Sequence, residues 1–234
     1  MLSLFDRFLE GSFLPLYAIT LIIGLWRYPR YYDTALKYFP ILLCYTFLTE
    51  IFGLIIRDTD IDLFVNEFYA NNNMLIFNIY YIISFLFFLV IYYLYLKRPR
   101  HKKTALVLMI VFMVTALVNA FYESFLTISQ VYTYVVGGIG MIICTALYFI
   151  ENKTDRNTWF NPRDLLSWIS LGMLVFYLVY TPIKILKQYW LMLGESHPIW
   201  SRRLHLTVLV LMYLCFIAGF IKMDRLTLKR RIKA

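Results

Sequence analysis

The sequence predicts an all-α polytopic membrane protein with seven transmembrane helices, its N-terminus outside and its C-terminus in the cytoplasm. Three observations lead there. Hydrophobic residues make up 61% of the chain and charged residues 16%, well below the roughly one quarter charged of an ordinary soluble domain. Seven apolar runs follow one another, each close to the about 20 residues that a helix needs to cross a hydrocarbon core of about 30 Å. The basic residues collect on one side of that series. Together the runs fill a single domain, 1–234, so the function belongs in or at the bilayer, which points to the inner (plasma) membrane.

The run 74–96 sets the direction. It has no charged residue, and apart from tyrosine hydroxyls only Asn78 and Ser84 interrupt it before Lys97, Arg98, Arg100, Lys102 and Lys103. Cytoplasmic loops carry the excess of Lys and Arg, so this cluster lies inside. Asn71, Asn72 and Asn73 then lie outside, one of them as a helix N-cap. Extended to every connection, this orientation puts 17 of the 23 Lys and Arg inside and 6 outside, with 5 acidic residues inside, 8 outside and Glu50 within the membrane. The total charge of +9 is thus a topology signal reinforced by anionic lipid, and no nucleic-acid partner is expected.

The other elements follow from that frame. Residues 1–12 read as an amphipathic turn at the outer interface. A cleaved signal peptide does not fit, because Arg27 and Arg30 follow the apolar run 13–26 instead of preceding it. Helix two, 38–56, places Thr46, Glu50 and Gly53 on one face and exits into Asp58, Asp60, Asp62 and Glu67. Helix four spans 105–122. Helix five, 131–150, presents Gly137, Gly140 and Cys144 as a close-packing face. Helix six, 165–186, carries the row Tyr177, Thr181, Lys184 and a kink at Pro182. The loop 188–204 is the longest outer connection and lies on the interface or over the bundle. Helix seven, 205–221, leads into the basic tail from Lys222 to Lys233. The Trp residues fit the two interfaces, and most Tyr and Phe read as lipid-facing or interfacial. Cys44, Cys144 and Cys215 lie in spans as small apolar side chains, with no disulfide or zinc framework.

Helical rise locates the chemistry. Glu50 precedes Arg57 by seven residues and Asn78 follows Asn71 by seven, so both sit about 10 Å below the outer boundary. Asn119, Glu123, Thr181, Lys184 and His205 occupy the outer third of their helices, with Tyr177 one turn below Thr181. These eight residues define an expected ligand cavity open to the outside and closed by an apolar inner half. A carboxylate at the helix centre costs about 2.5 to 3.5 kcal/mol on insertion scales and less nearer the interface. Glu50 is therefore protonated, solvated or paired, with Lys184 the first partner expected and His205 the second. The competing reading is that Glu50, Asn78 and Asn119 are hydrogen-bond glue between helices, and for Asn78 the two readings weigh alike. His101, His197 and His205 lack a metal-ligand spacing. No nucleophile elbow or triad is recognisable, so no metal, cofactor or catalytic residue is expected.

The stretch 48–53, with Asn72 and Asn73 and then Phe77, Asn78, Ile79 and Tyr80, resembles a group of uncharacterised seven-helix integral membrane proteins of Bacteroidota. The likeness is confined to helices two and three. It implies the fold and points again to Glu50 and Asn78, but implies no activity.

The expected function is that of a sensory or accessory membrane protein. It binds a small ligand or lipid group in the outward cavity and signals through its basic inner face to a cytoplasmic partner. A small, proton-coupled transporter is the alternative, and a lipid-modifying enzyme built on Glu50, Glu123 and His205 ranks below both.

Overall fold

The computed structural model describes residues 4–58 and 74–224. Among them are seven α-helices: α1 (Leu4–Arg27), α2 (Phe39–Asp58), α3 (Met74–Tyr95), α4 (Pro99–Tyr122), α5 (Val131–Arg156), α6 (Leu165–Met192) and α7 (Ile199–Lys222). Each helix packs against its neighbour in the chain, and α7 closes the ring on α1. A further α3–α5 contact puts α4 outside the seam between those two.

The sequence of α4 accounts for that position. Val107, Ile110, Val114, Leu117 and Phe121 recur at three- and four-residue steps, and all are exposed. Ala105, Phe112, Ala116 and Asn119 form the opposite, buried stripe. An exposed stripe of large apolar side chains has no place in water, whereas in lipid it is the ordinary surface of a peripheral helix. Among the described residues, six helices are long and apolar enough to cross a membrane. The chain is a multi-pass membrane protein.

Two ends of the bundle are distinguished by their hydrogen bonds. At one, Arg27 Nη2 donates to Ile221 O (3.2 Å), Arg30 Nη1 to Met223 O (3.4 Å) and Asp224 N to Arg163 O (3.0 Å). Lys97 N (2.8 Å) and Arg98 N (3.0 Å) donate to the Glu151 carboxylate at the same end, where His101 Nδ1 also lies 2.8 Å from it. This is the basic end, where among the described residues Arg27, Arg30, Lys97, Arg98 and Arg163 come together. At the far end, α3 begins and the α4–α5 connection returns.

Several helices run past their apolar runs. α4 begins at Pro99, because proline at the first helical position loses no hydrogen bond. α6 continues through Pro182 to Met192 and α7 starts at Ile199, so the expected long loop 188–204 contracts to six residues, 193–198. Leu, Lys, Gln and Met are good helix formers and sustain α6 beyond the membrane-length segment. Gly194, with φ +72°, and Pro198 then turn the chain. α1 likewise extends to Leu4, so residues 4–12 belong to the first helix and are not a separate turn. Asn71, Asn72, Asn73, Asp60, Asp62, Glu67 and the basic residues from Arg225 onward lie outside the described residues.

On α5 the close contacts fall at Gly137 and Gly138, against side chains, whereas Gly140 of the expected Gly137, Gly140 and Cys144 face has only ordinary contact with Leu89 at 3.7 Å. A Cβ on Gly137 would lie 2.7 Å from the Phe85 ring of α3, and Gly138 abuts Thr181 of α6. The half of the bundle toward the basic end is not purely apolar. Tyr92 bonds Ser170 (2.9 Å), and the Tyr148 hydroxyl donates to Asp164 Oδ2 (2.6 Å) and lies 3.0 Å from Ser167 Oγ. Asp164, fully buried as the N-cap of α6, is a polar residue of that half which hydropathy alone does not place.

Candidate functional site

Five helices deliver tyrosines to one interior point. α1 contributes Tyr17, α3 Tyr80 and Tyr81, α5 Tyr134, α6 Tyr177 and Tyr180, and α7 Tyr213; with Glu50 from α2 they line a cavity of about 100 Å³. On α3, Phe77, Tyr80, Tyr81 and Ser84 share a face at steps of three and four, which turns all of them inward. Rigid rings converging from several helices cannot interdigitate as branched aliphatic side chains do, and the space left between them is the cavity. Tyr134 meets Tyr81 edge-on at 5.0 Å and Tyr180 at 5.5 Å, while Tyr17 and Tyr213 lie 4.5 Å apart across the α1–α7 seam. Such arrangements match the quadrupoles of the rings. Phe85, Leu89 and Met173, all essentially buried, continue the packing toward the basic end.

Glu50 is the single carboxylate lining this cavity. Its hydrogen-bond partner is the Tyr17 hydroxyl, and the rings of Tyr80, Tyr81, Tyr180 and Tyr213 are within its electrostatic reach. No Lys or Arg pairs with it among the described residues. Lys184, the partner expected from sequence, instead donates to Ser129 Oγ (2.9 Å) and lies over the rings of Tyr81 (5.7 Å) and Tyr134 (5.5 Å). The reason is reach: Lys184 projects toward the far end and the α4–α5 connection, one tyrosine layer away from the carboxylate. His205 lines the cavity and stacks on Tyr180 at 3.8 Å, its planes 14° apart.

Of the eight residues singled out in the sequence, Glu50, Tyr177 and His205 share the cavity and Lys184 covers it. Thr181 is buried against Gly138, with its hydroxyl unpartnered. Glu123 caps the end of α4, one carboxylate oxygen buried without a hydrogen bond. The two asparagines are occupied elsewhere. Asn78 Nδ2 donates to Phe125 O (2.9 Å) and Ile128 O (2.8 Å), and its Oδ1 accepts from Gln130 N (3.1 Å). Asn119 Nδ2 donates to Thr133 Oγ1 (3.3 Å), tying α4 to α5. Of the cavity tyrosines only Tyr177 is singled out in the sequence, where most tyrosines read as lipid-facing or interfacial. The signal of the cavity tyrosines was present in the register of Phe77, Tyr80, Tyr81 and Ser84, and of Tyr177 and Tyr180, opposite the exposed Ile79, Ile83 and Leu178.

Among the described residues no three His, Cys, Asp or Glu side chains converge as metal ligands would. A second, larger recess of about 750 Å³ lies between the α1–α2 connection and α3, walled by Ile83, Leu86, Phe87 and Val90 of α3 on one side and by Asp33, Thr34, Lys37 and Tyr38 of the connection on the other. Ile83 and Val90 in its α3 wall are exposed apolar side chains of the kind that face lipid.

Fold and site together define a class: a helical membrane bundle whose interior holds one carboxylate in a tyrosine-walled cavity. Comparison with protein-family models, curated proteins and solved structures finds no match for the chain.

Proposed function

We propose that the chain is a ligand-binding membrane protein of the sensory or accessory kind. A small ligand enters the Glu50 cavity from the far end, taken as the outer face, and its occupancy is passed through the bundle to the basic cytoplasmic end. One observation carries the reading: a carboxylate with no cationic partner among the described residues sits in a cavity of about 100 Å³ whose walls come from six helices. At roughly 30 Å³ per water, that volume holds about three waters or the small polar end of a larger molecule. Pockets of this composition, largely aromatic with a few convergent polar groups, are the usual form of a small-molecule site. A ligand that touches α1, α2, α3, α5, α6 and α7 at once can bias how they pack, which is what a signal across the bundle requires. The apolar layer of Phe85, Leu89 and Met173 favours a blind site over a pathway.

Filling the cavity tests this. Ser84→Phe, made in full-length protein in nanodiscs, is expected to abolish ligand-induced thermal stabilisation while leaving the fold intact. In the wild type, ligand should slow amide exchange at residues 97–104, next to the Glu151 cluster. Accumulation of substrate inside proteoliposomes would replace the reading with transport, and binding unaltered by Ser84→Phe would remove the cavity from it.

A further inference from the structure

The charges around the cavity are divided in a way that the described residues do not neutralise. On one side, Glu50 has Tyr17 for a hydrogen bond and no cation among the described residues. On the other, Lys184 and Lys187 come close enough to repel each other, and Lys187 also meets Arg202. Lys184 is bonded to a neutral hydroxyl, and Lys187 lies 5.8 Å over the ring of Tyr180. Neither lysine has a carboxylate partner among the described residues. Between the two sides stands one layer of rings. Tyr81 is shared by Glu50 and Lys184, and Tyr180 by Glu50 and Lys187.

Within a membrane, uncompensated charges of both signs this close together are expensive, and the ordinary remedy is an ion pair between them. Here the tyrosine layer prevents it. A guest with a positive and a negative group would satisfy both sides at once. Tyrosine faces add attraction for an ammonium ion, about 0.5 to 2 kcal/mol per desolvated contact. A purely cationic guest would have to pass Lys184 and Lys187 without compensation, and a purely anionic one would face Glu50.

Building on the cavity-binding reading above, we propose that the ligand is a small zwitterion, its ammonium group held by Glu50 among the tyrosines and its acidic group by Lys184 and Lys187. Free betaine-like or amino-acid solutes and the headgroups of zwitterionic lipids both carry this chemistry. The ammonium end takes the cavity of about 100 Å³ beside Glu50, and the acidic end meets the lysines where they overlie the rings of Tyr81, Tyr134 and Tyr180.

The test is calorimetric titration of full-length protein in phosphatidylglycerol nanodiscs. Glycine betaine and phosphocholine are the zwitterions, tetramethylammonium and trimethylacetate the singly charged controls, and neopentyl alcohol the neutral one. Either zwitterion is expected to bind at least tenfold more tightly than every control. Glu50→Gln should weaken zwitterion and tetramethylammonium together by tenfold or more, with trimethylacetate unaffected. Lys184→Met should weaken zwitterion and trimethylacetate, with tetramethylammonium unaffected. Glu50→Asp, which keeps the charge, should recover part of the loss, and Lys187→Met provides an independent variant if Glu50→Gln does not fold. Repeating the titration in phosphatidylcholine nanodiscs separates the sources: a lipid headgroup competes with the soluble probe, whereas a free solute keeps its affinity. A control that matches the zwitterions, or zwitterion binding indifferent to both Glu50→Gln and Lys184→Met, overturns the proposal. If neopentyl alcohol binds as tightly and Ser84→Phe abolishes it, the cavity reading stands and the zwitterion falls. If no probe binds to folded protein, both fall.

Discussion

Asn78 is the residue whose role the structure changes most, and its replacement gives the firmest energetic expectation. Its amide holds the carbonyls of Phe125 and Ile128 and the N–H of Gln130, at 2.8 to 3.1 Å, and the side chain is 2% exposed. Asn78→Leu keeps the branching and heavy-atom count of the side chain and removes all three bonds. Interhelical hydrogen bonds in membranes average about 0.6 kcal/mol, which sums to about 2 kcal/mol. The Gln130 N–H is also left buried without a partner, which raises the expected loss to about 2 to 4 kcal/mol. Asn78→Asp should lose no less, since it turns an oxygen toward the two carbonyls. Equilibrium unfolding in mixed micelles measures the stability, and hydrogen exchange at 125–131 locates the loosening. A loss below about 0.5 kcal/mol, or weaker ligand binding at unchanged stability, would refute the assignment and return Asn78 to the binding site.

Three further expectations rest on separate parts of the structure. Glu151→Ala removes an acceptor of the Lys97 and Arg98 N–H groups and the partner of His101. Hydrogen bonds to a charged group contribute about 1.5 to 3 kcal/mol each, so exchange at 97–101 should accelerate by more than tenfold. Gly137→Ala would place a Cβ 2.7 Å from the Phe85 ring and should destabilise by about 1 to 3 kcal/mol, whereas Gly140→Ala, with Leu89 at 3.7 Å, should be tolerated; unfolding midpoints compare the two. Tyr31, outside the spans, donates to Gly24 O at 2.7 Å, and burial pushes its phenol up from the usual value near 10. The unfolded chain ionises first, so stability should fall as pH rises above about 10. Tyr31→Phe should lessen that alkaline loss, measured as thermal midpoints between pH 9 and 11.

Seven helices lie among the described residues, six of them long and apolar enough to cross a membrane where the sequence leads one to expect seven spans, and the approximate ends were legible where apolar run and helix coincide. α3 ends at Tyr95, one residue short of the end of its apolar run. Hydropathy does not report where a helix ends when good helix formers follow the apolar run, and α6 accordingly runs six residues beyond 186. Of the residues that the sequence singles out, Glu50, Tyr177 and His205 line one cavity. Rotation was not legible. Asn78 is level with Glu50, but one residue from Phe77 turns it about 100° around the helix, away from the cavity and onto the α4–α5 connection. The same limit concealed the tyrosines, because a phenol suits a membrane interface and a polar interior equally well. Partners distant in sequence, such as Glu151 with the start of α4 and Tyr148 with Asp164, leave no periodic trace in either segment.

The claim on which the functional reading depends is that a small charged reagent can reach the Glu50 cavity from the far end alone. Ser84 lines that cavity, so Ser84→Cys, in protein whose Cys44, Cys144 and Cys215 are replaced by Ala, reports access directly. The measurement is the rate of modification by methanethiosulfonate ethylammonium added to one side of oriented proteoliposomes. The account predicts modification from the side opposite the basic loops and little from their side. Equal rates from both sides, or a thiol as inert as one at Gly140 packed against Leu89, would contradict it.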